Sequence, residues 1–121
     1  MSTPAARKSS SQLMVKIVRC VSDDFPAFVE CVFTDATGAM HTFMDKASVV
    51  SLENLDQRSL YPQPGFIGCE VQDAWEDAAG RPLLRVDTSV PWGVESTLGQ
   101  TSFVVLASQV PQGEDDKHTT P

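Results

Sequence analysis

Two short loops of one design, Asp35-Ala-Thr-Gly38 and Asp77-Ala-Ala-Gly80, each stand between two runs rich in β-branched, aromatic and other apolar residues. Aspartate suits the first position of a type I turn, because its carboxylate can accept bonds from the backbone two residues on. Glycine suits the fourth, where a left-handed backbone conformation costs it nothing. Each loop therefore predicts a β-hairpin, joining residues 27–34 to 39–45 and residues 66–76 to 82–88. In the second hairpin, placing Asp77 opposite Gly80 sets Val71 against Val86 and Gln72 against Arg85, a register that keeps apolar and polar faces consistent on both strands.

The rest of the chain reads in the same way. Leu13, Val15, Ile17 and Val21 fall on one side of an extended chain, the period-two pattern of a half-buried strand, and Ser22-Asp-Asp-Phe-Pro26 interrupts it. Thr101-Ser-Phe-Val-Val-Leu-Ala107 is almost continuously apolar, which predicts a strand that lies centrally or closes a barrel. Between the hairpins, Ser51 is a capping-type residue followed by Leu52 and Leu55, so one short helix or 3₁₀ turn is expected over residues 51–58. Pro62-Gln-Pro-Gly65 ends that segment, because proline disfavours helical geometry in the residue before it. The expected fold is mainly β: a small six-stranded antiparallel barrel or sandwich, SH3-like or OB-like, with one short helical turn. Closing a sheet in this way removes exposed strand edges. At 121 residues the chain has room for one hydrophobic core, expected over residues 12–110, with residues 1–11 and 111–121 as polar, disordered tails.

Charge narrows the partners. Acidic residues outnumber basic ones 16 to 9, and residues 12–110 alone hold 13 acids against 6 bases. Such a chain repels phosphate backbones, so no nucleic-acid partner is expected, whereas a basic protein would be attracted. No run of apolar residues reaches the length of a membrane span, and the polar start lacks a secretory core, so no membrane partner is expected. Cys20, Cys31 and Cys69 are odd in number and sit in strand-like runs, as free thiols in a cytoplasmic protein would.

Motifs for chemistry are sparse. His41 is the only histidine between residues 12 and 110. It shares a strand face with Phe43 and Asp45 and neighbours Cys31 across the hairpin, but His41 and Asp45 stand four residues apart, roughly 13 Å along a strand. A half-exposed strand histidine beside a buried thiol is the simpler reading, so no catalytic residue is assigned. The closely spaced Cys and His pairs of a zinc site are missing, and Glu70, Asp73, Glu76 and Asp77 follow no calcium-loop or paired-carboxylate pattern. The glycines are scattered singly and form no phosphate-cradling loop, so no metal or cofactor is expected.

Val90-Pro-Trp-Gly-Val-Glu-Ser-Thr97 resists a purely structural account, since a tryptophan between proline and glycine either plugs the barrel or stands out as a contact residue. If it is exposed, Trp92, Glu95 and Tyr61 would form an aromatic, acidic protein-binding patch, with Trp75 as a second anchor. The leading expectation is a small acidic, non-catalytic protein-interaction module, for example an inhibitor or immunity-type partner of a basic protein, acting as a monomer or weak homodimer. A small-molecule or carbohydrate-binding β-barrel is the first alternative, and a small hydrolase-like enzyme using His41 the second.

Overall fold

The computed structural model describes residues 11–22, 24 and 26–111, so the expected tails at residues 1–11 and 111–121 lie outside the described residues except for Ser11, which opens the first strand, and Pro111. Six antiparallel strands form one curled, half-barrel sheet: β1 (Ser11–Ser22), β2 (Phe28–Thr34), β3 (Met40–Lys46), β4 (Gln63–Glu76), β5 (Pro82–Asp87) and β6 (Ser102–Leu106). A four-residue helix α1 (Ala47–Val50) follows β3, and a 3₁₀ turn (Ala107–Gln109) follows β6. The strand order is β3-β2-β1-β4-β5-β6.

Both Asp-to-Gly hairpins form as expected. Gly38 and Gly80 adopt φ of +94° and +83°, and each donates its N–H to the carbonyl of the aspartate that opens its turn. Val71 faces Val86, but Arg85 faces Asp73 and not Gln72, because β4 is bulged between Val71 and Asp73. One extra residue in a bulge shifts everything beyond it by one partner.

Strand β1 is the spine of the sheet. Its first half pairs with β4, from Ser11–Cys69 to Ile17–Gln63, and its second half with β2, from Lys16–Val32 to Ser22–Phe28, with register shifts after Ile17 and after Cys20. The alternation Leu13, Val15, Ile17 turns inward against Val29, Cys31, Phe43, Ile67, Val86 and Val105, every one of them almost fully buried. Burying a side chain of this size is worth about 1.5–3 kcal/mol, which is the force that curls the sheet around a dry interior.

Two expectations are corrected. The helical turn lies at Ala47–Val50, and Ser51 ends it: its N–H bonds back to the Ala47 carbonyl while its own backbone is extended and its hydroxyl accepts from Glu53 N. Burial of Ala47 and Val50 decides the position, overriding the weak helix preference of valine. Strand β6 lies at one edge of the sheet, opposite edge strand β3, and its residues alternate between buried and part-exposed. The two edges are drawn together by other means. Ala36 N bonds Val104 O, Thr97 N bonds Thr42 O, and the ring of Phe103 packs on Phe33, His41 and Phe43 with centroids 4.8–5.7 Å apart. No described helix is long and apolar enough to cross a membrane.

Candidate functional site

Trp92 is 67% exposed and therefore does not plug the barrel. It rides on a firmly held loop between β5 and β6. Thr88, wholly buried, donates its hydroxyl to the Val94 carbonyl at 2.7 Å, while Val94 N bonds Thr88 O and Gly93 N bonds Ser89 O. Val94 is buried in the core, and Ser96 anchors the next turn through bonds from Leu98 N and Gln100 N. The Pro91-Trp92-Gly93 bend is thus pinned on both sides, with Gly93 at φ +69°.

The indole lies against β4. A Cβ built on Gly68 would stand 2.8 Å from Trp92 Cδ1 and 2.9 Å from Nε1, closer than carbon atoms approach one another. Glycine at position 68 is what allows the ring to rest there. Trp92, Phe66, Leu52 and Val49 line a groove of about 380 Å³, joined by Gln12 and the segment Ser48–Ser51. Leu52 is fully exposed and Phe66 is 38% exposed, so three large apolar side chains meet solvent around one concavity. Two adjoining grooves share Ser51 and Leu52, and the charged side chains that line them are Glu53 and Asp56. The combined surface is apolar with an acidic rim.

The patch expected from the sequence is only partly assembled. Tyr61 packs against the core and donates its hydroxyl to the Asp56 carbonyl at 2.8 Å, so it supports the loop over residues 56–61 and does not line the Trp92 groove. Glu95 is exposed and follows Trp92 in the chain, its carboxylate lying near Gly99. Trp75 is 36% exposed on β4, with the Arg85 guanidinium 5.2 Å from its ring centroid. Nothing in the sequence alone marks Leu52 and Phe66 as members of this groove. Leucine spacing alone would place Leu52 in a short helix, and Phe66 sits in an alternating strand where an outward aromatic carries no signal of its own.

His41 is partnered by Asp35, a residue of its own hairpin turn. Its Nε2 lies 2.7 Å from Asp35 Oδ2, and its ring is wedged between Phe33 and Phe103. Asp35 is the first residue of the hairpin turn and accepts bonds from Thr37 N, Thr37 Oγ1 and Ala39 N as well. Burial raises its pKa, but the bonds from His41, Thr37 and Ala39 outweigh that and hold the carboxyl at about 2. The pair ties the hairpin loop to the aromatic seam. Cys31 faces Phe43 across the strands, and burial, with the Asp45 and Glu30 charges, pushes its thiol up to about 12, which makes it a poor nucleophile. Burial and the Asp87 charge raise Cys69 to about 12 as well. Among the described residues no three His, Cys, Asp or Glu side chains come together to hold a metal ion.

Comparison with protein-family models, with curated proteins and with solved structures returned no match.

Proposed function

We propose that the chain is a small acidic interaction module, without catalytic turnover, that binds a basic protein through the groove around Trp92. The observation that carries this reading is the pinned, exposed indole resting on Gly68 beside exposed Phe66 and Leu52. Tryptophan anchors of this kind dominate protein interfaces, and holding one rigid before contact lowers the entropy lost on binding. The rim selects the partner. Glu53 and Asp56 line the adjoining grooves, and the chain carries −7 overall, so an apolar anchor flanked by lysine or arginine fits both the hollow and its edge. Cys31, buried and with its thiol raised to about 12, is no ready nucleophile, which supports a role without chemistry.

Trp92→Ala supplies the test. Native and Trp92→Ala chains are immobilised side by side, exposed to extract of the native host, and eluted by rising salt. A stoichiometric basic protein retained by the native chain and lost with the variant supports the reading. Retention of nothing, of acidic proteins alone, or of a partner indifferent to Trp92→Ala would sink it.

A further inference from the structure

The outward face of β1, β2 and β3 has a character opposite to that of the rest of the chain. Met14, Met40 and Met44 stand there at 44%, 65% and 42% exposure, with Val32 between them and Phe28 beyond Met44. Cross-strand register places Phe28 opposite Lys46, Thr34 opposite Met40 and Glu30 opposite Met44. The charges pointing outward along these strands are Lys16, Arg19 and Lys46 against the single acid Glu30, which is already paired with Arg19. A net positive surface thus sits on a chain of −7. Within it lies a hollow of about 560 Å³, lined chiefly by Met14, Met40, Val32, Pro62 and Pro64, with Lys16 as its one charged residue.

We infer that this face is a second docking surface, and that its occupant is an acidic segment of another protein carrying an apolar anchor residue. Charge chooses the segment: with Arg19 balanced by Glu30, an acidic chain is drawn to Lys16 and Lys46, whereas a basic one is repelled by them. Methionine chooses the manner of contact. Unbranched, polarizable side chains repack around anchors of different shape, and exposed clusters of them mark surfaces that accept varied apolar partners. A single-stranded nucleic acid also carries negative charge, but it needs aromatic platforms for its bases. Phe28, at the end by Lys46, is the one aromatic among the outward residues of these three strands, and Phe66 stands across β1 opposite Met14, so the two rings lie apart and form no stacking row. The face adjoins the Trp92 groove, since Met14 stands opposite Phe66 on β4, but it differs from the groove in the sign of its charge, and the inference makes no use of Trp92.

The experiment labels the methionine methyl groups with ¹³C and follows them by NMR in the full chain. Three ligands are titrated: a synthetic amphipathic peptide with a leucine face and glutamates elsewhere, the same peptide with lysines for glutamates, and a thymidine oligonucleotide. The expected result is that the glutamate peptide moves the Met14, Met40 and Met44 signals, that the lysine peptide binds at least tenfold more weakly, and that the oligonucleotide leaves them in place. A Lys16→Glu, Lys46→Glu variant, shown to be folded by its amide spectrum, should weaken the glutamate peptide at least tenfold. The inference is overturned if the glutamate peptide moves none of the three signals, if both peptides act equally, or if the charge-reversed variant binds as well as the native chain. It is likewise overturned if the oligonucleotide is the ligand that moves them, or if they shift with chain concentration alone, which would assign the face to a second copy.

Discussion

Gly68→Ala asks whether Trp92 is held against β4 or simply left in solvent. The added Cβ would lie 2.8 Å from Trp92 Cδ1 and 3.2 Å from Pro91 Cδ, where relaxed carbon contacts need about 3.5–4.0 Å. Gly68 is not among the glycines with positive φ, so alanine meets no backbone strain there and should even stiffen the strand by about 0.5–1 kcal/mol. The loss comes from the ring. Trp92 is 67% exposed, so about a third of its surface is covered; for a side chain of up to about 250 Å² that is roughly 80 Å², or about 2 kcal/mol at 25 cal/mol per Å². The two effects leave a net destabilisation of about 1 kcal/mol, a fall of several degrees in Tm for a domain of this size. The assay runs in a Trp75→Phe background, so that Trp92 is the sole indole, and measures acrylamide quenching and near-ultraviolet circular dichroism alongside thermal unfolding. Quenching should rise and the indole ellipticity collapse while the sheet signal is kept. Unchanged quenching and ellipticity would refute the reasoning, since a ring unaffected by that methyl group cannot be resting on Gly68.

Asp35→Asn removes an acid held at about 2, below the roughly 3.9 of an unfolded chain, and a depressed carboxylate stabilises above the unfolded value and ceases to do so as pH falls through the folded one. The native chain should therefore lose on the order of 2 kcal/mol between about pH 4 and pH 2 that the variant never had; parallel acid-denaturation curves for the two would contradict this. Thr88→Val leaves the Val94 carbonyl without its 2.7 Å hydroxyl donor and should cost about 1–3 kcal/mol in urea unfolding, with Trp92 loosened in the same quenching assay. Cys20, Cys31 and Cys69 are all buried and joined in no disulfide, and Cys31 and Cys69 are raised to about 12, so a disulfide reagent at pH 8 should label the chain only as fast as it unfolds. Rapid labelling without denaturant would show that the interior is open.

Local rules made much of this architecture legible. The two Asp-to-Gly turns, the inward alternation of β1 and the Val71–Val86 pair all follow from side-chain chemistry acting over a few residues. What stayed hidden depends on contacts distant in sequence. The bulge that moves Asp73 opposite Arg85 is a property of the paired strands, and the helix at Ala47–Val50 is placed by core burial. The Trp92 groove combines β4, the segment after α1 and the loop before β6, so an exposed tryptophan could be anticipated while its neighbours Phe66 and Leu52 could not. Tyr61 shares the proline-rich setting of Trp92, yet its bond to Asp56 O and its packing on the core turn it to structural use. His41 and Asp35 are six residues apart, and their pairing is not legible in the sequence because the turn alone is sufficient reason for an aspartate at that position.

The meeting of β3 with Phe103 has a consequence for how the chain reaches its native state. About sixty residues separate the two sides of that contact, so the aromatic cluster cannot assemble while a shorter length of polypeptide is present. Hairpins at residues 28–46 can zip early, but Phe33, His41 and Phe43 stay wet until β6 arrives. Contacts this remote slow folding, because a long loop must be ordered before they form. A newly made chain therefore carries an uncovered aromatic stripe until position 103 is in place, and that interval is when it is most prone to stick to its neighbours.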